Sequence, residues 1–142
     1  MALIIYPAAT PDNPYSQDGT MTNPVREAFD GRNGGTSETK RYLRNDSALY
    51  GYSTIVISLV DSEGRNIVDG TDGYGWKLSS GDTQPTADQW EAITYGDSIS
   101  MSDIPDTSTY LPFWVLIEIP RGAPVESFDD VTIRVSAVQT AV

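Results

Sequence analysis

The chain of 142 residues contains no cysteine and no histidine, and basic residues are scarce. Without cysteine it has neither a disulfide scaffold nor a thiolate metal site. Without histidine it has no imidazole base for a nucleophile–histidine–acid triad and no imidazole ligand for zinc. The composition therefore excludes the commonest catalytic and metal chemistry, and we expect a protein that is not an enzyme and needs no cofactor.

A long hydrophobic run is also missing. The longest apolar stretch, residues 113–119, is interrupted by Glu118 and bounded by Pro112 and Pro120. It is far shorter than the ~20 residues of a membrane-spanning helix. The apolar start, residues 1–6, lacks the length and the basic residues of a secretory signal. We therefore expect a soluble protein made in the cytosol, without a membrane partner.

The net charge of −11 arises entirely after residue 44. Residues 1–44 contain five acidic and five basic residues, whereas residues 45–142 contain fifteen acidic and four basic residues. Because nucleic-acid binding requires clustered lysine and arginine, we expect no direct nucleic-acid partner. The only local basic group consists of Arg32, Lys40, Arg41 and Arg44. It is either a solvated strand face or a contact patch for an acidic neighbouring subunit.

Prolines divide the chain into two parts. Four prolines fall between residues 7 and 24, in a stretch with little hydrophobic periodicity. Proline cannot donate to a sheet ladder, so this stretch is predicted to be irregular. We predict an extended N-terminal arm over residues 1–24 and a β-sandwich domain over residues 25–142. The start of the arm is either a short edge strand or a tip that docks on a neighbour, formed by Leu3, Ile4, Ile5 and Tyr6.

Short strand candidates alternate with turn signals along the chain. They span residues 21–29, 38–45, 53–60, 65–68, 74–78, 93–102, 110–119 and 131–138. Thr86 and Gln89 have the spacing of a capping box, which predicts one short helix whose Trp90 packs on a sheet. Many short strands with one helix predict an all-β fold, namely an immunoglobulin-like or jelly-roll-like β-sandwich or barrel.

Acidic residues are candidates for two kinds of site. A two-carboxylate glycosidase would draw on Glu91, Glu118 and Glu126, but no motif supports a catalytic pair. A calcium site would draw on Asp61, Glu63, Asp69 and Asp72, which alternate with glycines. Their spacing departs from the EF-hand loop, and Asp and Gly are common in turns, so we favour turns and predict no metal site.

Aromatic residues offer the alternative of sugar binding, because flat rings stack on the faces of sugars. We expect the three tryptophans, Trp76, Trp90 and Trp114, to be core anchors instead, and Trp114 above all because it lies in the strongest strand. A carbohydrate-binding module would present exposed tyrosines in one shallow groove. The candidates are Tyr50 and Tyr52, which we expect in a loop, and Tyr95.

Three groups of segments carry a resemblance to a known class of proteins. They are residues 29–35 with 42–46, residues 75–81 with Pro85, Thr86 and Trp90, and residues 109–115 with 119–120 and 131–138. In this order they resemble the small β-sandwich structural proteins of tailed-bacteriophage virions, including capsid decoration (cement) proteins. The resemblance covers residues 25–138 and carries over no functional residue.

The resemblance implies a non-enzymatic virion protein that binds and stabilises the assembled head at the capsid surface. The implied partners are the major capsid protein or another virion protein. A homo-oligomer is expected as well, with a trimer favoured. From the sequence itself we predict partner binding by the arm and the basic group, through Leu3, Ile4, Ile5, Tyr6, Arg32, Arg41 and Arg44. The alternative is a carbohydrate-binding or other tail or baseplate adhesion module.

Overall fold

The computed structural model consists of two antiparallel β-sheets and describes residues 2–15, 29–61, 68–123 and 131–142. The strands are β1 (Leu3–Tyr6), β2 (Gly35–Asn45), β3 (Tyr50–Asp61), β4 (Gly75–Ser80), β5 (Ile99–Met101), β6 (Tyr110–Ile119) and β7 (Val131–Ala141). A short helix, α1 (Ala87–Glu91), lies between β4 and β5. No helix in these described ranges is long and apolar enough to cross a membrane.

The first sheet has the strand order β1-β2-β6-β4, and the second has the order β5-β3-β7. The hydrophobic core between them contains Leu3, Leu43, Leu78, Phe113, Val115 and Ile117 from the first sheet and Tyr52, Ile55 and Ile57 from the second. Ile104, in the loop before β6, completes this cluster. The predicted all-β sandwich with one short helix is thus confirmed, since each sheet places one face in the core and one outside.

Strand β6 shows how alternation decides the core. Phe113 and Val115 are 0% and 2% exposed, respectively, and face the second sheet. Trp114 lies between them and therefore points to the outer side of the first sheet, where it is half-buried. The prediction that Trp114 is a core anchor is wrong, because the residue is one position out of phase with the core-facing residues.

Pro112 lies inside β6 without breaking it. Its carbonyl accepts a hydrogen bond from the Gly81 amide at 3.1 Å, on the side of β4. Strand β4 ends at Ser80, whose partner in the register is Phe113. The donor that proline lacks would point past the end of β4, so its absence removes no ladder hydrogen bond.

Tyr50 and Tyr52, the predicted surface tyrosines, lie in strand β3 and not in a loop. A bulge in this strand determines which of its side chains face the core. The register with β7 shifts between Ser53 and Val56, and Thr54 has a positive φ of 51°. One extra residue changes the phase of the alternation, so that Tyr52 and Ile55 both face the core. Tyr52 is 2% exposed, and the expectation of an exposed Tyr50–Tyr52 loop is therefore wrong.

The other strand predictions differ from the structure mainly at their ends. Of residues 93–102, only Ile99–Met101 pairs as a strand, because the segment before it turns at Gly96. The helix and its capping box are confirmed, with Thr86 as N-cap. The candidate strand at 21–29 lies outside the described residues except for Phe29, and the one at 65–68 does so except for Val68.

Candidate functional site

The predicted arm tip forms the edge strand of the first sheet. Leu3–Tyr6 pairs antiparallel with β2, with Leu3 opposite Asn45 and Tyr6 opposite Tyr42. Leu3 and Tyr6 are 5% and 3% exposed, whereas Ile4 and Ile5 are half-buried. Residues 7–14 are exposed, and the amide of Tyr15 then donates to the carbonyl of Ile5 at 2.9 Å. Of the two alternatives for this segment, the structure shows the edge strand.

The three predicted arginines do not form one patch. Arg32 is exposed in the turn before β2, Arg41 is 7% exposed on the side of β2 that carries Leu43, and Arg44 lies on the outer side. The Arg41 guanidinium lies 5.1 Å from the centre of the Tyr15 ring. Strand alternation separates Arg41 from Arg44, although only two residues lie between them.

The outer face of the first sheet brings together polar and aromatic side chains that are far apart in sequence. Its register places Lys40 opposite Trp114 and Trp114 opposite Ser79. The neighbouring row on one side is Glu38–Leu116–Lys77, and the rows on the other side are Tyr42–Pro112 and then Arg44–Tyr110. The face divides into two halves. The covered half comprises Glu38, Lys77, Leu116 and Glu118, and the open half comprises Lys40, Tyr42, Arg44, Tyr110 and Trp114.

Helix α1 and the segment after it cover the first of these halves. The indole nitrogen of Trp90, which is 5% exposed, donates to the Glu38 carboxylate. The Lys77 ammonium donates to the Trp90 carbonyl at 2.8 Å and lies 4.3 Å from the centre of the Tyr95 ring. The Tyr95 hydroxyl donates to Glu118 at 2.5 Å. Each charged group of the covered half therefore has a partner from the covering segment.

The capping box sets where this covering helix begins. The Thr86 hydroxyl accepts from the Gln89 amide at 3.3 Å, and the Gln89 side chain accepts from the Thr86 amide at 2.9 Å. These bonds satisfy amides that a helix start leaves without intrahelical partners. They orient a helix of five residues so that Trp90 points onto the sheet.

The open half consists of cations stacked on aromatic rings. The Arg44 guanidinium lies 5.0 Å from the Tyr110 ring centre and donates to the Tyr110 hydroxyl at 2.7 Å. The Lys40 ammonium lies 5.3 Å from the Tyr42 ring centre and 6.0 Å from that of Trp114. These distances are within the range of cation–π attraction. All five side chains of the open half are only half-buried.

Carboxylates at the margins balance these two cations. Lys40 forms an ion pair with Asp82, and Arg44 forms one with Asp46 at 3.3 Å. Asp46 also accepts from the Tyr6 hydroxyl. The open half with its two margins is therefore close to neutral, although the chain as a whole is strongly acidic.

Three groups on the outer face have pKa values that hold them in their protonated form. Burial and the bond to Asp46 raise the pKa of Tyr6 to about 12. The bond to Glu118, together with burial, raises the pKa of Tyr95 to about 12. The bond to Asp82 raises the pKa of Lys40. The two phenols and the ammonium are thus stable hydrogen-bond donors at neutral pH.

A shallow groove adjoins the open half beyond the end of β4. It has a volume of about 370 Å³ and is lined by residues 79–83, Pro85 and Gln89. The indole nitrogen of Trp114 donates to the Asp82 carbonyl at 3.3 Å, which fixes the edge of the ring beside the groove. Hydroxyl, amide and carboxylate groups line this groove, so it offers both donors and acceptors.

The proposed tyrosine groove and the acidic sites do not assemble in the described residues. Tyr52 is buried and Tyr95 lies on the covered half, so these two cannot share a groove with Tyr50. Within residues 2–15, 29–61, 68–123 and 131–142, no three acidic side chains are grouped to hold a metal ion. Asp72 has a φ of 57°, a turn conformation, whereas Glu63 and Glu126 lie outside the described residues.

No family model, curated protein or solved structure matches the chain. The chemistry of this site is therefore argued from its own residues. Sequence reasoning missed the open half because its members come from two strands that are separated by more than sixty residues. The available signal was the alternation Lys40–Tyr42–Arg44, which becomes a surface only when β2 is paired with β6.

Proposed function

We propose that this protein is a non-enzymatic structural protein of a tailed-phage virion that decorates the assembled head. Its partner is the major capsid protein or another virion protein, and it associates with further copies of itself, with a trimer favoured. The resemblance in the sequence and the all-β sandwich support this proposal. The acidic body would keep the free protein soluble before assembly.

The observation that carries the proposal is the attachment of β1. This strand of four residues sits at the edge of the first sheet and is followed by an exposed, proline-rich segment. The same four backbone pairs with β2 would form if β1 came from a neighbouring copy. Exchange of an identical element is a low-cost route to an oligomer, because the exchanged contacts equal the original ones.

Binding of this protein to the assembled head would stabilise the head by mass action. A protein that binds only the assembled shell stabilises that shell relative to its free subunits. Exchange around a local threefold axis would repeat each weak contact three times, and the copies would then bind as a unit. The arm over residues 1–24 remains the predicted contact element.

The binding experiment uses heads assembled from a phage genome in which this chain has been deleted. The purified full chain should co-sediment with these heads at a fixed ratio to the capsid protein and should raise their disruption temperature. Absence of binding to heads, or binding to purified tails alone, would contradict decoration. Heads that contain the chain from the start serve as the saturated control.

A disulfide lock tests the role of β1 separately. The chain has no cysteine, and Ile4 and Arg44 are partners in the register, so Ile4→Cys with Arg44→Cys can form a disulfide within one chain without competition from native cysteines, and the oxidised monomer is isolated by size. If β1 must be exchanged, the oxidised monomer should not bind heads and a reductant should restore binding. Equal binding of the oxidised monomer would exclude exchange while leaving decoration standing. Each single cysteine variant is the matched control.

A further inference from the structure

We propose that the open half and the adjoining groove form a binding site for a neutral carbohydrate. The platform consists of the Trp114 and Tyr42 rings, and the polar wall consists of Asp82, Ser79 and Gln89. This inference concerns side chains outside β1 and goes beyond the proposed function, since capsid decoration by the arm does not require it.

The aromatic platform supplies the apolar part of such a site. Trp114 and Tyr42 are half-buried on the outer face, and the Lys40 ammonium lies 6.0 Å from the centre of the Trp114 ring and 5.3 Å from that of Tyr42. Because both rings are only half-buried, part of their surface remains exposed. The π-face of an aromatic ring is electron-rich and attracts the weakly positive C–H groups of a sugar ring.

The groove supplies the polar part. Its volume of about 370 Å³ falls within the range typical of small-molecule sites, roughly 300–1,000 Å³. Ser79 lies opposite Trp114 in the register, so a ligand stacked on the indole would also reach the groove. The Asp82 carboxylate is 80% exposed and accepts hydrogen bonds, whereas the Gln89 amide can both donate and accept. Sugar hydroxyls need this mixture of donors and acceptors.

Charge balance indicates that the ligand is neutral. Lys40 is paired with Asp82, and Arg44 is paired with Asp46, so the surface has no surplus cation for a phosphate or an acidic peptide. The remaining acidic charge of the chain would repel anions. A neutral ligand with many hydroxyl groups is not repelled by the acidic charge and needs no unpaired cation. Its hydroxyls can bridge the two members of an ion pair without replacing either one.

The test applies the full chain to an array of neutral and acidic glycans, followed by calorimetric titration of the strongest glycan ligand. A peptide with the sequence of residues 7–15 is titrated in parallel, since aromatic grooves also bind proline-rich segments. We expect saturable binding of one or more neutral glycans. Binding to no neutral glycan, to acidic glycans alone or to the peptide alone would overturn the proposal.

Variants locate the binding on the open half. Trp114→Ala should raise Kd by roughly tenfold or more, and Trp114→Phe, which keeps a ring, should recover most of the affinity. Asp82→Ala removes a carboxylate that is 80% exposed, so it should disturb the fold little, and it should also weaken binding. Asp103→Ala, at another exposed acidic position, is the matched control and should leave Kd unchanged. Glycan binding that neither Trp114→Ala nor Asp82→Ala weakens would place the ligand elsewhere and overturn the site.

Discussion

The two halves of the outer face use similar residues in different ways. In the covered half, Glu38, Lys77 and Glu118 find their partners on a segment that folds over the sheet. In the open half, Lys40 and Arg44 find theirs on neighbouring strands and at the margins, and the rings remain partly exposed. One face of a sheet is thus part of a second, small core at one end and a surface at the other.

The largest expected effect contrasts two tryptophans on this face. Trp90→Ala should lower the free energy of unfolding by about 3–5 kcal/mol, because it empties a buried site and leaves the Glu38 carboxylate without its indole donor. Trp114→Ala should cost only about 1 kcal/mol, since the ring is half-buried. Urea unfolding of both variants measures the difference. Equal losses would show that the open half is as tightly packed as the covered half.

The two lysines give a smaller contrast. Lys77 is 7% exposed and donates to the Trp90 carbonyl near the end of α1, where a cation also interacts favourably with the helix dipole. Lys77→Met keeps most of the side-chain volume and should cost about 1–3 kcal/mol in unfolding free energy. Lys40→Met is the matched variant in the open half and should change stability little, because its partner Asp82 is mostly exposed. A larger loss for Lys40→Met than for Lys77→Met would reverse the distinction.

The smallest expected effect is on the pH dependence of stability. It concerns Tyr6 and Tyr95, which lie near opposite ends of the outer face. The pKa values of Tyr6 and Tyr95 are raised from 10.0 to about 12 in the folded chain, so the protonated phenols stabilise the fold. This contribution is complete below pH 10 and is lost as the pH rises towards 12. Unfolding free energy should therefore fall over that interval. Tyr6→Phe and Tyr95→Phe should each make the fall shallower.

Tyrosinate absorbance provides an independent check of this last prediction. Tyr6 and Tyr95 should ionise late in the folded chain, and each Phe variant should remove one late step. Tyr50→Phe is the control, because neither raised pKa belongs to that residue. Simultaneous ionisation of all tyrosines in the folded protein would contradict the bonds to Asp46 and Glu118.

Local sequence signals identified several elements closely. Strand β6 has the predicted bounds, because Pro120 and a run of β-forming residues define it. The helix starts where Thr86 and Gln89 predicted, since a capping box involves only four consecutive residues. The predicted strand over residues 131–138 is present within β7, where the odd-numbered residues from 131 to 137 are less exposed than their neighbours.

Predictions failed where phase or distant partners decide the outcome. Trp114 is a large aromatic residue of a kind that often lies in a core, but the core-facing positions of β6 are those of Phe113 and Val115. Tyr52 follows a glycine and reads as a loop residue, but the bulge at Thr54 turns it inward. Neither outcome follows from residue type, because a shift of one position moves every side chain to the other face.

The class of fold, the positions of most strands, the capped helix and the charge imbalance between the two parts of the chain could all be predicted from the amino-acid sequence. Each of these depends on residues that are close together in the chain or on composition. Only the tertiary structure decided that β2 pairs with β6, that Trp90 and Tyr95 cover one half of a face, and that Lys40, Tyr42 and Trp114 meet on the other. Those outcomes depend on contacts between separate elements, such as Trp90–Glu38 across 52 residues and Tyr95–Glu118 across 23, which form through the packing of the sandwich and not through any local pattern.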